Sequence, residues 1–174
     1  MAEATDEYGR KPADQELILG ALISDEVAFL VLGGIAVYVH GHARLTRDVD
    51  VIPDPSATNL RRLAGALADL EASVITGPGQ LAALDLSHPE SLAVGNYFLE
   101  TKHGALDLVN GPRPDLKRYR ELESRAVEVT FAGGAMRVIS KDDLIAMKRE
   151  AGRPKDLADI AALTEVERGG RLQA

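Results

Sequence analysis

The sequence predicts a single α/β or α+β domain in which helices flank a mixed β-sheet. Three observations support this fold class. Helical segments alternate with short apolar runs that suit β-strands. Two pairs of these runs have the pattern of β-hairpins. The length of 174 residues is usual for one domain. We expect the domain to occupy residues 14–166, between a flexible N-terminal tail over 1–13 and a frayed C-terminal end over 167–174.

The first half of this domain alternates helix and strand. Apolar residues at helical spacing predict a helix over 15–23. The apolar run 27–32 predicts a buried strand that stops at Gly33 and Gly34, where a short helix follows. Residues 48–52 predict a second strand because polar and apolar side chains alternate there, and the periodicity of 60–72 predicts the next helix.

The second half is richer in hairpins. A brief strand is expected over 73–76, whereas 77–91 shows no clear pattern beyond room for one short helix. Segments 96–109 and 127–139 predict hairpins with turns at His103-Gly104 and Gly133-Gly134. Helices are expected over 115–126, 140–151 and 154–167. Ser140 and Gly152 are the expected caps of the second of these helices.

Composition excludes several classes of protein. The absence of cysteine excludes a disulfide framework, a zinc–thiolate site and a cysteine nucleophile. The polar start and the lack of a long apolar run predict a soluble, cytoplasmic protein with no membrane partner. The small number of aromatic residues argues against recognition of single-stranded nucleic acid by base stacking. A net charge of −7 does not favour nonspecific binding of nucleic acid.

The candidate site is the stretch that joins the glycine pair to the second predicted strand. Asp48 and Asp50 are two residues apart on a strand, so their side chains project from one face about 6–7 Å apart at the backbone. Such carboxylates suit one or two hard cations such as magnesium. Gly33 and Gly34 would let the backbone and the following helix approach phosphate. A plain strand-to-helix turn beside a solvated acidic loop fits the spacing equally well.

The stretch GGIAVYVHGHARLTRDVDVI resembles the signature of the polymerase-β-like nucleotidyltransferase superfamily. It is most similar to the compact bacterial branch of AbiEii-type toxins and minimal nucleotidyltransferases, and the C-terminal segment VISKDDLIAMKREAGRPKDLADIAAL is similar to that branch as well. The resemblance extends over 31–163. The matching residues are Gly33, Gly34, Ala36, Arg44, Thr46, Asp48 and Asp50. Many relatives have Gly-Ser where this chain has Gly-Gly, so a serine contact to phosphate is missing.

The resemblance implies a nucleotidyltransferase fold in which Asp48 and Asp50 hold metal ions. A third carboxylate is expected on a neighbouring strand, where Asp107 fits best and Asp85 is the rival; Asp107 could also be an exposed strand residue. The implied nucleotide-binding residues are Gly33, Gly34, Arg44, Thr46, Lys148, Arg153 and Lys155.

Several of these residues have plainer interpretations. Lys148 could be a solvated helix residue, and Asp156 and Asp159 more often cap or bridge a helix than bind substrate. Arg44 and Arg47 could pair with the carboxylates and hold them in place. The four histidines lack metal-ligand spacing, so a zinc site is not expected.

The function implied by the resemblance is transfer of a nucleoside monophosphate from a nucleoside triphosphate to an acceptor hydroxyl, with release of pyrophosphate. The expected cofactor is Mg²⁺, as two ions, with Mn²⁺ as the alternative. The acceptor would be a tRNA end, a protein hydroxyl or a small antibiotic, and a toxin–antitoxin partner is one expectation. The rival hypothesis is a catalytically silent nucleotide-binding module or antitoxin, against which the retained Asp pair argues.

Overall fold

The computed structural model describes residues 5–6 and 8–171, with side chains described as far as residue 165. It contains one eight-stranded mixed sheet with helices packed on it, which confirms the predicted fold class. The strands are β1 (Phe29–Val31), β2 (Asp48–Pro53), β3 (Ser73–Gly77), β4 (Gln80–Ala83), β5 (Tyr97–Thr101), β6 (Gly104–Leu108), β7 (Val127–Phe131) and β8 (Gly134–Val138). The helices are α1 (Gln15–Ser24), α2 (Gly33–Val39), α3 (Ala57–Asp69), α4 (Leu116–Arg125), α5 (Lys141–Ala151) and α6 (Pro154–Arg171).

The sheet order β4-β3-β5-β6-β2-β1-β8-β7 puts β2 and β6 at the centre. These two strands run parallel, and Asp50 pairs with Asp107 in their register. On β2 the side chains alternate, so that Val49 and Val51 are fully buried in the core while the aspartates face the other way. The hydrophobic core thus holds the strand that carries the candidate site.

The helix ends are set by local sequence. Ser140 caps α5 by accepting the N–H of Asp143 at 3.2 Å, and Gly152 ends that helix with a φ of 63°, as the sequence predicts. None of the described helices has the length and apolar character that a membrane span requires.

The segment 77–91, which follows no clear pattern, contains strand β4 and the start of a short 3₁₀ helix (Pro89–Ala93). All four residues of β4 are exposed. Because neither face of this edge strand packs on the core, the strand has no alternation of apolar and polar residues for a sequence pattern to reveal.

Residues 8–13, here called the N-terminal strap, pack on the domain, although the sequence predicts a flexible tail over 1–13. Arg10 is only 5% exposed because its guanidinium contacts a carboxylate of the central sheet. Residues 1–4 and 7 of the predicted tail lie outside the described residues. At the other end, α6 continues to Arg171 where fraying is predicted from 167, and residues 172–174 are not described.

Candidate active site

Three carboxylates meet at the centre of the sheet. Asp48 and Asp50 project from one face of β2, and Asp107 comes from the adjacent position of β6. One oxygen of each lies within 4.8 Å of an oxygen of the other two. Among the described residues, no other group of three or more acidic, histidine or cysteine side chains comes together in this way.

The carboxylates destabilise one another as charged groups. Burial raises the pKa of Asp50 to about 7, and the negative charges of Asp48 and Asp107 contribute to this rise. Burial also raises the pKa of Asp107 to about 6, although the neighbouring Arg10 opposes the shift. A bound divalent cation would relieve this repulsion, and a set of carboxylate oxygens is the donor type that Mg²⁺ and Mn²⁺ prefer.

Thr46 orients one of these carboxylates. Its hydroxyl donates to Asp48 Oδ1 at 2.9 Å. The same side chain fills the space beside Gly34, where an added Cβ would lie 2.3 Å from Thr46 Oγ1. Thr46, which the resemblance implies as a nucleotide-binding residue, therefore contacts a metal-ligand candidate directly.

Gly33 is required by the carboxylate cluster itself. Its φ is +63°, and an added Cβ would lie 1.8 Å from Asp50 Oδ2. The sequence suggested that the two glycines make room for phosphate. The structure adds a second reason, since both glycines lie against the residues that build the acidic cluster.

We expect Gly33→Ala to weaken Mg²⁺ binding, because the new methyl group would displace Asp50. It should also lower the free energy of unfolding by about 1–3 kcal/mol through backbone strain. Gly65→Ala is the matched control, because nothing lies within 4 Å of the added Cβ in α3. In the helix that change should stabilise the protein by up to about 1 kcal/mol. Magnesium titration calorimetry and thermal unfolding measure both effects, and equal Mg²⁺ affinities would contradict the steric argument.

A buried ion-pair network joins α5, α6 and the loop before β2. Lys148 Nζ lies 2.7 Å from Asp159 Oδ2 and 3.3 Å from Asp156 Oδ1. Arg44 forms a bidentate pair with Asp159 at 2.7 and 2.9 Å, and Arg153 pairs with Asp156 at 2.6 Å. Asp156 and Asp159 therefore form ion pairs that hold α6 in place, as their plainer interpretation predicts. Lys148 is buried, so its interpretation as a solvated helix residue is wrong.

Lys155 and Arg153 lie close enough to the carboxylate cluster for their charges to act on it. Lys155 and, more weakly, Lys148 oppose the rise in the pKa of Asp50. The pKa of Arg153 is raised, mainly by Asp156 and to a smaller extent by Asp50. The start of α6 therefore brings positive charge close to the acidic cluster.

The other sequence candidates lie elsewhere. Asp85 is exposed in the loop after the edge strand β4, where it accepts hydrogen bonds from Ser87 at 2.9 and 2.5 Å. Strands β3, β5 and β6 separate that edge from β2. His40 Nε2 lies 2.8 Å from the carbonyl oxygen of Ile139 and belongs to no ligand cluster in the described part of the chain.

Arg10 is the site residue that sequence reasoning missed. Its Nη1 contacts Asp107 Oδ1, and its Nε donates to Asp6 Oδ2 at 2.7 Å. Tyr8 stacks on Phe98, which pairs with Asp107 across β5 and β6, with 6.1 Å between the ring centroids. Nothing in the polar, aperiodic N-terminal sequence indicates these contacts, because they depend on the strap folding back over distant strands.

Solved structures of similar fold include the following three proteins. The lincosamide antibiotic adenylyltransferase LnuA, solved with lincomycin bound, has a TM-score of 0.56 at 17% identity and covers 88% of this chain and 97% of that one. The antibiotic-resistance factor ANT(2'')-Ia has a TM-score of 0.53 at 16% identity, over 90% and 88% of the two chains. An antigenic nucleotidyltransferase-like protein from Paracoccidioides brasiliensis has a TM-score of 0.52 at 16% identity, over 89% and 78%.

At these identities the similarity shows the fold alone, and it confirms the nucleotidyltransferase fold. A search of curated protein sequences finds no significant match. A family model described as "Nucleotidyltransferase of unknown function (DUF6036)" matches residues 12–167. That match covers the strap from Pro12 onward and every candidate residue of the carboxylate cluster.

Proposed function

We propose, from the premise that this chain belongs to the DUF6036 family of nucleotidyltransferases, that it transfers a nucleoside monophosphate from a nucleoside triphosphate to an acceptor hydroxyl. The observation that carries this proposal is the cluster of Asp48, Asp50 and Asp107, whose oxygens lie within 4.8 Å of one another. We assign the reaction to the cytoplasm, where nucleoside triphosphates are supplied.

In the proposed reaction the acceptor oxygen forms a bond to the α-phosphorus of the nucleotide. The bond between that phosphorus and the oxygen bridging to the β-phosphorus breaks, and pyrophosphate leaves with the bonding electrons. The proton of the acceptor hydroxyl passes to Asp107. In the metal-free protein burial raises the pKa of this carboxyl to about 6, and a bound cation would lower the pKa again. Asp107 is therefore ionised near neutral pH and can accept a proton.

Asp48, Asp50 and Asp107 would hold the metal, as one or two Mg²⁺ ions, with Mn²⁺ as a substitute. When bound, Mg²⁺ supplies neutralisation of the triphosphate charge and stabilisation of the charge that develops during transfer. The protein's own groups then have defined tasks. Thr46 orients Asp48, and Gly33 leaves room for the Asp50 carboxylate.

Lys155 and Arg153 would bind the triphosphate. We expect Lys155→Ala to raise the KM for the nucleotide about tenfold while changing kcat less, because an exposed charge pair with phosphate contributes roughly 1–2 kcal/mol. Lys117→Ala is the control, since that lysine is 88% exposed on α4 and pairs only weakly with Glu121 at 3.8 Å. Steady-state kinetics over a range of nucleotide concentrations measure the effect. Wild-type KM in both variants would rule out the phosphate role of Lys155.

Of the three candidate acceptors, we favour a small molecule over a tRNA end or a protein. The net charge of −7 opposes a polyanion, and Phe98, 42% exposed, lies beside Asp107 where it could pack against a compact acceptor. LnuA and ANT(2'')-Ia are described as antibiotic-modifying or resistance proteins, which makes hydroxyl-bearing antibiotics the first acceptors to test.

The test is an in vitro transfer assay. Purified protein with Mg²⁺ and each nucleoside triphosphate, labelled on the α-phosphate, is incubated alone, with tRNA, and with a panel of hydroxyl-bearing antibiotics that includes lincomycin. Label on one acceptor supports the proposal. Tight nucleotide binding with no transfer to any acceptor would support the silent binding module. Growth arrest on expression, absent in the Asp50→Asn variant, would instead indicate the toxin role and a missing antitoxin partner.

A further inference from the structure

Arg10 is fixed from several sides. Its backbone N–H donates to Asp6 Oδ1 at 2.8 Å and its Nε to Asp6 Oδ2 at 2.7 Å, while Nη1 contacts Asp107 Oδ1. The guanidinium carbon also lies 5.8 Å from the ring centroid of Tyr8 and 6.0 Å from that of Phe98. These contacts leave the side chain 5% exposed, so the guanidinium has a single well-defined direction.

The strap that carries Arg10 is tied to the sheet by its backbone. The N–H of Gly79 donates to the carbonyl of Tyr8 at 2.9 Å, the N–H of Ala105 to that of Lys11 at 3.2 Å, and the N–H of Ala13 to that of Arg47 at 2.8 Å. The strap also passes so close to β6 that an added Cβ on Gly104 would lie 2.3 Å from the carbonyl oxygen of Pro12. Arg10 therefore keeps a constant position relative to Asp107.

We propose that Arg10 is a positioning residue for the transfer reaction. Because its Nη1 contacts Oδ1 of Asp107, the other oxygen is the one left to serve the metal and the acceptor hydroxyl. Asp6 holds Arg10 in turn, which makes Asp6, Arg10 and Asp107 a chain of oriented groups that ends at the reacting oxygen. This inference rests on the proposed function, because it assigns a partner to the general base.

The contrary role for Arg10 would be inhibition. A guanidinium on Asp107 competes with a cation for that carboxylate, so its removal would then increase activity and cation affinity. Positioning predicts the reverse. Arginine keeps its charge at every accessible pH, and a carboxylate has lone pairs enough to accept one hydrogen bond and still serve a second partner. Partners that orient a ligand in this way typically contribute 10–100-fold to affinity or activity.

The test compares Arg10→Ala, Arg10→Lys and Asp6→Asn with the wild type in single-turnover and steady-state assays. We expect kcat to fall about 10–100-fold in Arg10→Ala, less in Asp6→Asn, with the KM for the nucleotide unchanged within about twofold. Guanidinium chloride at tens of millimolar should restore part of the activity of Arg10→Ala, whereas sodium chloride should not. Arg10→Lys should recover little, because lysine cannot reach both carboxylates with a planar fork.

Arg125→Ala is the matched control. It removes another arginine–aspartate pair, with Asp143 at 2.8 and 3.0 Å between α4 and α5, and should keep the wild-type kcat. Higher activity in Arg10→Ala than in the wild type would overturn positioning in favour of inhibition. A loss of activity that guanidinium fails to restore, together with a lowered unfolding temperature, would leave Arg10 a purely structural role and equally overturn the proposal.

A metal titration separates failure of this inference from failure of the proposed function. Mn²⁺ binding to each variant is measured by calorimetry, with no nucleotide or acceptor present. Positioning predicts several-fold weaker binding in Arg10→Ala even though a positive charge has been removed from the site. Unchanged or tighter binding contradicts the proposal whether or not the wild type transfers nucleotides under the conditions tried.

Discussion

Replacing Asp50 with Asn is expected to abolish nucleotidyl transfer and, at the same time, to stabilise the metal-free protein at about pH 8. The loss of activity follows from removal of one of three carboxylates proposed to hold the metal, and should be on the order of a thousandfold in kcat. The gain in stability has a separate cause, which is the energetic cost of keeping Asp50 charged inside the cluster.

The direction of the stability effect follows from the pKa of Asp50, which burial and the charges of Asp48 and Asp107 raise from 3.8 to about 7. Folding favours the protonated carboxyl, so the wild type without metal loses stability as the pH rises from about 4 to about 7, and the loss is complete above that range. Asn avoids this cost. The variant should therefore be more stable by on the order of 2–4 kcal/mol at about pH 8 and by almost nothing near pH 4.

Denaturant unfolding in the presence of a chelator, at the two pH values, measures this difference. Addition of Mg²⁺ should stabilise the wild type and leave Asp50→Asn unchanged, because ligand binding to the folded state adds to its stability. Asp69→Asn is the control, since Asp69 is exposed at the end of α3 and should change stability by no more than about 0.5 kcal/mol at either pH. If the variant is no more stable than the wild type at about pH 8, the charge of Asp50 does not destabilise the folded protein and the argument is wrong.

For Asp107→Asn we expect near-normal nucleotide binding with a transfer step slowed at least a hundredfold. The amide oxygen of Asn can still accept the hydrogen bond from Arg10, so the strap should stay in place. The variant lacks both the group that takes the proton of the acceptor hydroxyl and one of the three carboxylates proposed to hold the metal. General-base help alone is typically worth 10²–10⁴-fold. Nucleotide affinity and single-turnover transfer are measured on the same preparation.

Asp85→Asn is the control for this experiment, because Asp85 is the rival carboxylate and is exposed near the edge strand. It should transfer at the wild-type rate. An inactive Asp85 variant beside a fully active Asp107 variant would show that the third carboxylate has been assigned to the wrong strand.

The sequence predicted those features whose cause is local. Alternation along 48–52 places Asp48 and Asp50 on one face, and the glycine pair marks the turn after β1. Hairpins and helix caps follow from turn residues and from single side chains such as Ser140. The parallel register that puts Asp107 beside Asp50 is not local, and only the pattern of neighbouring leucines and the family resemblance indicated it.

What the sequence did not predict depends on contacts between distant segments. Arg10 contributes to the site only because the strap crosses β6, and Arg44 is paired with Asp159 of α6 instead of standing free beside the carboxylates. Lys148 looks like a surface residue in its helix, yet α6 covers it and supplies two aspartates. The spacing of residues along the sequence does not reveal such pairs, because the two partners meet only when whole helices and strands pack together.

The ion pairs around the site also determine when it can form during folding. Arg10 and Asp107 are 97 residues apart in the chain, and Arg44 and Asp159 are 115 residues apart. Closing loops of this length costs chain entropy before any contact repays it, so these pairs should form late, after the local hairpins and helices. A partly folded chain would then have most of its secondary structure and no metal site. Recovery of Mn²⁺ affinity during refolding should consequently lag behind the recovery of helical circular dichroism, which makes cation binding a stringent probe of the native state of this protein.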